Sequence, residues 1–166
     1  MKKTYKIVTD ILLILLLLLA AALFLPSVFG LKPLAVLSGS MEPTYHVGSL
    51  IYVQTVEPEE IEVGDPMTYK ISQDTMVTHR VVEKNEEEQY FQTKGDANET
   101  EDGGTVSYTN VVGKPAFTIP FLGYIAVYAS TKSGMMMLIT IIVAVLLLTI
   151  LPDLLMGGKK SKEKEV

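Results

Sequence analysis

The reactive chemistry available to this 166-residue chain is concentrated in one short cluster, Ser38-Gly39-Ser40-Met41-Glu42-Pro43-Thr44. Glycine permits a tight turn and proline stiffens its exit, so Ser40 is expected at a rigid bend rather than on a mobile loop. A serine hydroxyl is a poor nucleophile until a base takes its proton. The candidate bases are His46, His79, Lys70, Lys84, Lys94 and Lys114. The chain has no cysteine, which excludes disulfide frameworks, thiolate zinc sites and cysteine-nucleophile hydrolysis. That absence says nothing about compartment, because a chain without thiols is indifferent to redox poise.

Periodicity sorts the bases. In Val77-Thr78-His79-Arg80-Val81-Val82 a strand puts His79 on the same face as Val77 and Val81, beside the expected core, where an imidazole can accept a proton. Lys70 alternates with Thr68 and Ser72, opposite Met67, Tyr69 and Ile71, and is expected to face water as a hydrated cation. His46 lies in a turn between Tyr45 and Val47 and is expected to point to solvent. On the residues alone, a lone strand histidine is more often structural than catalytic. An isolated S-G-S triplet is likewise most simply a polar turn.

The elements that must hold these residues fall into two classes. From Ile11 to Leu25 no side chain is charged or polar, and Pro26 to Leu31 extend the run to about the 20 residues needed to cross a bilayer. A second run, Met135 to Leu151, extends to Met156. Both are expected to be transmembrane helices, over residues 11–31 and 134–156. Basic residues, a leucine-rich core and Ala20-Ala21-Ala22 also fit a cleavable signal peptide, but the apolar stretch continues past the alanines, beyond an h-region of roughly 7–15 residues, which favours an uncleaved anchor. Lys2, Lys3 and Lys6 precede the first run and Lys159, Lys160, Lys162 and Lys164 follow the second, so both ends, 1–10 and the charged tail 157–166, are expected to be cytoplasmic. Residues 31 to 133 hold seven Lys and Arg against fifteen Asp and Glu, a net of −8. The segment 32–130 is therefore expected to be a single extracytoplasmic domain of a two-span membrane protein. The whole-chain charge of −5 gives no footprint for nucleic acid.

Within that domain the pattern has period two. Ser49 to Val56, Pro66 to Ser72, Met76 to Lys84 and Gln89 to Lys94 are candidate strands, the last two joined through Asn85-Glu86-Glu87-Glu88. Further β-type sequence appears at Val111-Val112 and Ala116 to Ile119, after a Gly-, Asp- and Asn-rich loop from Gly95 to Gly104. The expected fold is mainly β, a small antiparallel domain between an N-terminal and a C-terminal transmembrane helix. The acidic runs Glu57 to Glu62 and Glu83 to Glu88 read as solvated turns and strand ends. Asp96, Asn98, Thr100 and Asp102 alternate like a calcium loop, but Glu101 stands at the obligatory glycine and Ser107 at the bidentate glutamate, so no metal is expected.

With these residues in view, the chain resembles signal peptidase I, the membrane-bound serine protease family that removes signal peptides. The matching blocks are Ser38 to Thr44 after an N-terminal anchor, Gly64-Asp65 opening a strand, Thr78-His79-Arg80-Val81-Val82, and Thr93-Lys94-Gly95-Asp96-Ala97-Asn98 followed by Asp102. A last block runs from Gly113-Lys114 through Ile119-Pro120-Phe121-Leu122-Gly123-Tyr124. They span residues 36 to 125 in the family's order and spacing. His79 stands where the usual bacterial branch has lysine, so the chain resembles the endoplasmic-reticulum, archaeal and some Gram-positive members. Ser49, Pro66 and Met67 depart from the family pattern, at strand-entry positions.

The resemblance implies Ser40 as nucleophile, His79 as general base and Asp102 as the acidic partner that orients it. It implies Ser38, through its hydroxyl, together with the Ser40 backbone N–H as the oxyanion hole, and Asp96 as a second acidic position near the site. It implies no cofactor and no metal. Its partners would be secretory precursors, whose signal peptides carry small residues before the cleavage site, together with the lipid bilayer and any accessory membrane subunits. Only about ten residues separate Gly30 from Ser40, a reach of at most roughly 33 Å, so the site is expected near the outer membrane surface, with Phe29, Leu31 and Leu34 able to dip into the interface. An extended peptide docked on a strand edge would be bound without much demand on its sequence. The rival expectation from another class is a non-catalytic, membrane-anchored β module that binds or assembles surface proteins and needs no special role for Ser40.

Overall fold

The computed structural model describes residues 2–73 and 75–161; of the expected terminal segments, Met1 and Lys162 to Val166 lie outside the described residues. The chain divides into two compact units, one of Met1–Ala22 with Tyr128–Val166 and one of Leu23–Val127.

The first unit is helical. The helix expected over 11–31 is found as α1, Lys2–Val28, but it stops three residues short of Leu31, in a turn at Phe29-Gly30 where Gly30 has φ +84°; the second run is part of α3, Lys132–Ser161, which continues past residue 156. Thr4–Val28 and Lys132–Ile150 are long and apolar enough to cross a membrane, with mean hydropathies of 3.0 and 2.6. The Tyr5 hydroxyl donates to the Leu148 carbonyl at 3.1 Å, and Thr9 and Val145 are buried, so the start of α1 lies beside the middle of α3.

The second unit carries a seven-stranded antiparallel sheet. Its strands are β1 (Lys32–Ala35), β2 (Leu50–Gln54), β3 (Pro66–Lys70), β4 (Met76–Asn85), β5 (Tyr90–Lys94), β6 (Val106–Ser107) and β7 (Val111–Ile119), in the spatial order β1-β2-β7-β3-β4-β5-β6. The mainly β, antiparallel reading thus holds, with the sheet lying in sequence between the two apolar helices. The last strand is central, pairing with β2 on one side and β3 on the other. Two residues explain how it turns between them. Gly113 has φ +148°, and a β-carbon there would come within 1.9 Å of the Gln54 carbonyl oxygen. Pro115, which cannot donate to a ladder, sits at the register shift between Tyr52 and Val53.

Two apolar clusters stabilise the sheet. Ile61, Met67, Tyr69, Val81, Phe91, Val106 and Tyr108 form one, with the Phe91 and Tyr108 rings stacked at 4.7 Å. Ile51, Val53 and Val112 form the other, with Leu34, Val36, Tyr45 and Met76 packed against it. Each fully buried large side chain contributes roughly 1.5–3 kcal/mol.

Several local expectations are corrected. Ile71, expected on the buried face with Met67 and Tyr69, is 62% exposed because β3 ends at Lys70 and the chain turns there. Thr68 shares a face with Lys70 but is fully buried, its hydroxyl bonded across the strands to that of Thr78 at 2.8 Å. The two β-type pieces at 111–112 and 116–119 are one strand. Strand β1, unforeseen, pairs Leu34 with Ile51, and Leu34 is partly buried against the second cluster. Replacing Gly113 by alanine is expected to destabilise the chain by on the order of 2–4 kcal/mol, read as a large drop in the unfolding midpoint in detergent; an unchanged midpoint would contradict the close approach of β7 to Gln54.

Candidate active site

Ser40 sits in the turn that leads from β1 toward β2, and its backbone is clamped from two directions. Within the turn, Glu42 N–H donates to Gly39 O at 3.0 Å and Tyr45 N–H to Met41 O at 2.9 Å. From across the domain, Ala97 N–H donates to the Ser40 carbonyl at 2.9 Å. That approach requires Gly95, where a β-carbon would come within 2.6 Å of the same carbonyl oxygen.

His79 lies on β4 opposite Met67 of β3 and is 9% exposed. The alternation that puts Val81 in the core directs the imidazole inward as expected. Its Nε2 lies 3.0 Å from Ser40 Oγ, and its Nδ1 lies 2.6 Å from Asp102 Oδ2. A carboxylate can only accept, so Nδ1 carries the proton of the neutral ring and Nε2 is left to accept from the serine hydroxyl.

Asp102 belongs to no strand, yet it is fixed. Its N–H donates to Thr93 O at 2.9 Å, and its carbonyl accepts from Gln92 Nε2 at 2.6 Å, so β5 holds its backbone at both ends. Its Oδ2 also accepts from the Thr93 hydroxyl at 2.6 Å and from the Tyr69 hydroxyl at 3.2 Å. Burial pushes the Asp102 carboxyl up, but the hydrogen bonds from His79, Thr93 and Tyr69 outweigh it and hold the group below the usual carboxylate value.

The other candidates are placed as follows. Ser38 Oγ is 3.3 Å from Ser40 Oγ, on the same turn. Asp96 does not bond His79. It takes a two-pronged fork from Arg80, Nε to Oδ1 at 2.7 Å and Nη2 to Oδ2 at 2.6 Å, and accepts from the Thr44 hydroxyl at 2.5 Å. The Arg80 guanidinium, then Thr44, hold its carboxyl below the usual value against the effect of burial. His46 is exposed and its Nδ1 pairs with Glu42 instead. Of the lysines, Lys84 is bound to Glu59 O and Glu86 and Lys114 to Asp65, while Lys70 is exposed. Arg80, Thr44, Gln92, Thr93 and Tyr69 were not singled out from the sequence. Alternation puts Tyr69 on the inner face, and Thr44, Arg80 and Thr93 lie inside the motif blocks, but nothing in the linear order shows which loop carboxylate each meets.

Ser40 and His79 line a cleft of about 620 Å³ whose walls include Leu34, Val36, Met41, Tyr45, Ile51 and Met76. One wall has an open edge. Strand β3 pairs with β4 over Met76 to Arg80, whereas β5 pairs with it only from Arg80 onward. Among the described residues no group of three or more His, Cys, Asp or Glu could hold a metal.

A hydroxyl, an imidazole and a carboxylate in series at the wall of an apolar cleft is an arrangement able to activate a serine. No family model matches the chain. Individual relatives do match. Signal peptidase I W of Bacillus subtilis (strain 168) is 44% identical over 89 residues, covering 52% of this chain and 47% of that protein. The signal peptidase complex catalytic subunit SEC11C of Homo sapiens is 31% identical over 105 residues, covering 57% of this chain and 55% of its own length. SEC11 of Lodderomyces elongisporus is 35% identical over 108 residues, covering 58% and 64%. The chain thus has homologues named signal peptidase I and signal peptidase complex catalytic subunit. It spans about half the length of the first two of these relatives. A bacterial enzyme and eukaryotic catalytic subunits together agree with the branch that the motifs resemble.

The Asp96 fork yields a test of what fastens the loop. A carboxyl with a depressed folded pKa adds stability above its unfolded value, near 3.8, and loses that contribution as pH falls through the lower folded value. Asp96→Asn is therefore expected to cost about 1.5–3 kcal/mol at neutral pH and to converge with the wild type below pH 3.8. A pH-independent difference in unfolding midpoint would show that the Arg80 pair is not its source.

Proposed function

We propose that the chain is a membrane-bound serine endopeptidase that cleaves N-terminal signal peptides from secretory precursors. The observation that carries this reading is the unbroken contact from Ser40 Oγ through both nitrogens of His79 to Asp102 at the wall of an apolar cleft. The homology to signal peptidases supports the substrate class.

In this reading the Ser40 oxygen attacks the scissile carbonyl while His79 Nε2 takes its proton, and the same imidazole then gives that proton to the leaving amine. Asp102 holds the ring in the Nδ1–H tautomer and stabilises the imidazolium that forms. The Ser38 hydroxyl and the Ser40 N–H are the donors for the developing oxyanion; one such donor in a comparable site contributes on the order of 3 kcal/mol. Water then releases the acyl group by the same steps in reverse.

The cleft accounts for the selectivity. An extended precursor segment can pair along the open edge of Met76 to His79, with alternate side chains entering pockets walled by Leu34, Val36, Ile51 and Met76. Backbone pairing makes little demand on sequence, and in this reading shallow apolar pockets in the cleft favour small residues before the scissile bond. The lysines outside both apolar runs support cytoplasmic termini and an extracytoplasmic β domain, and the Tyr5–Leu148 contact is consistent with both termini on one side. Residues 32–130 are then the catalytic domain, with accessory membrane subunits as further partners.

Replacing Ser40 by Ala should leave membrane insertion and folding intact and abolish processing of a co-expressed precursor. Asp102→Asn, which keeps the shape but favours the wrong tautomer, should lower kcat by about 10³–10⁴-fold. Undiminished processing by the Ser40 variant would leave only the non-catalytic tethered module.

A further inference from the structure

The carboxylate that meets His79 receives more donors than orientation of an imidazole requires. Asp102 Oδ2 alone accepts from three groups, His79 Nδ1, the Thr93 hydroxyl and the Tyr69 hydroxyl. The two hydroxyls come from strands on opposite sides of β4, Tyr69 from β3 and Thr93 from β5, and lie 3.3 Å from each other. Both are out of solvent, Thr93 at 0% and Tyr69 at 6% exposure. The Tyr69 ring packs among Met67, Val81 and Phe91, a setting that phenylalanine would fill equally well. Its hydroxyl is the part that packing does not explain.

We infer that Thr93 and Tyr69 are positioning residues that share the Asp102 charge with His79 and so limit how strongly the site holds a proton on the imidazole. This rests on the reading of Ser40 and His79 as the hydrolytic pair. A carboxylate oxygen offers about two lone-pair sites, so three donors on Oδ2 share its charge and the hydroxyls compete with His79 for it. A base that held its proton too tightly would stay an imidazolium and could not activate Ser40. The hydroxyls also stop the loop carboxylate from swinging off Nδ1, because one of them is anchored in β5 beside the bonds that fix the Asp102 backbone. The charged and titratable groups facing His79 are Asp102, bonded to it, and Asp96, acting through space and already paired with Arg80; Tyr69 and His79 face Asp102. The Thr93 and Tyr69 hydroxyls are therefore the neutral donors by which this charge balance can be adjusted without removing a charge.

The chain contains two histidines, so His46→Gln leaves one imidazole to observe. In the full-length protein in detergent micelles, labelled with nitrogen-15 at histidine, the pH titration of His79 is followed by NMR in Thr93→Val, Thr93→Ser and Tyr69→Phe backgrounds. Thr93→Val should raise the proton affinity of His79 about threefold or more, Tyr69→Phe should raise it by less because its bond is longer, and Thr93→Ser should restore the wild-type titration. The acid limb of kcat/KM for precursor cleavage should move to higher pH by the same amount. A titration unmoved or moved to lower pH in Thr93→Val, or not restored by Thr93→Ser, would overturn the inference. Should Thr93→Val fail to fold, Tyr69→Phe decides alone: a raised proton affinity supports the inference and an unmoved titration overturns it. The NMR readout needs no turnover, so shifted titrations in a protein that cleaves nothing would defeat the protease reading and leave the hydroxyl coupling standing.

Discussion

An imidazole pulls a proton from a serine far better when its far nitrogen is already committed to an acceptor, and His79 meets that condition. With Nδ1 given to Asp102 at 2.6 Å, Nε2 has a lone pair directed at Ser40 Oγ at 3.0 Å. The remainder of the domain keeps these three groups in register, though they come from a turn, a strand and a loop separated by 39 and 23 positions along the chain. None of the three could hold this geometry alone. A free serine turn has no base, and a loop aspartate has no fixed direction.

Strand β4 solves the placement by using consecutive residues. His79 points to the core side and takes Asp102, while Arg80 points away and takes Asp96. One loop, carrying both carboxylates, is thereby fastened to the strand at two points. The same loop then reaches the Ser40 turn: the Thr44 hydroxyl bonds Asp96, Ala97 N–H bonds the Ser40 carbonyl, and Gly95 leaves room for that approach. Each bond on its own is modest, about 0.5–3 kcal/mol. Their arrangement closes a ring from strand to loop to turn and back to strand, so an error at one member is felt at the others. That closure is the form of support a reactive constellation requires.

How much of this could be read in advance varies with the range of the interactions involved. The inward direction of His79 was legible because a strand alternates strictly and Val77 and Val81 flank it with apolar side chains. The outward His46 followed from its turn. The Ser38 to Thr44 bend was visible from glycine and proline. Asp102 was singled out by family resemblance, since a residue in a loop takes its position from β5, and the pairing that does so spans no local pattern. For the same reason Thr93 and Tyr69 looked like ordinary strand residues. Strand β1 carries little signal because Lys32-Pro33-Leu34-Ala35 is short and contains a proline, which a regular ladder accepts at an edge, a strand start or a bulge, and β1 is an edge strand. The last strand read as two pieces because Gly113 and Pro115 interrupt it, although those residues are what let it serve both β2 and β3. Helix α2, Leu122–Ala129, carries almost no polar residue to mark a face, so no amphipathic pattern announces it.

The most direct test of the central claim asks whether Ser40 is activated by His79. Covalent labelling of the full-length protein in detergent by a fluorophosphonate probe, mapped by mass spectrometry, reports that reaction without any assumption about the precursor. The account predicts a single adduct on Ser40, with a labelling rate that rises with pH as the imidazole loses its proton and that collapses in His79→Ala. Labelling at another residue, or at Ser40 with a rate indifferent to the loss of His79, would contradict it.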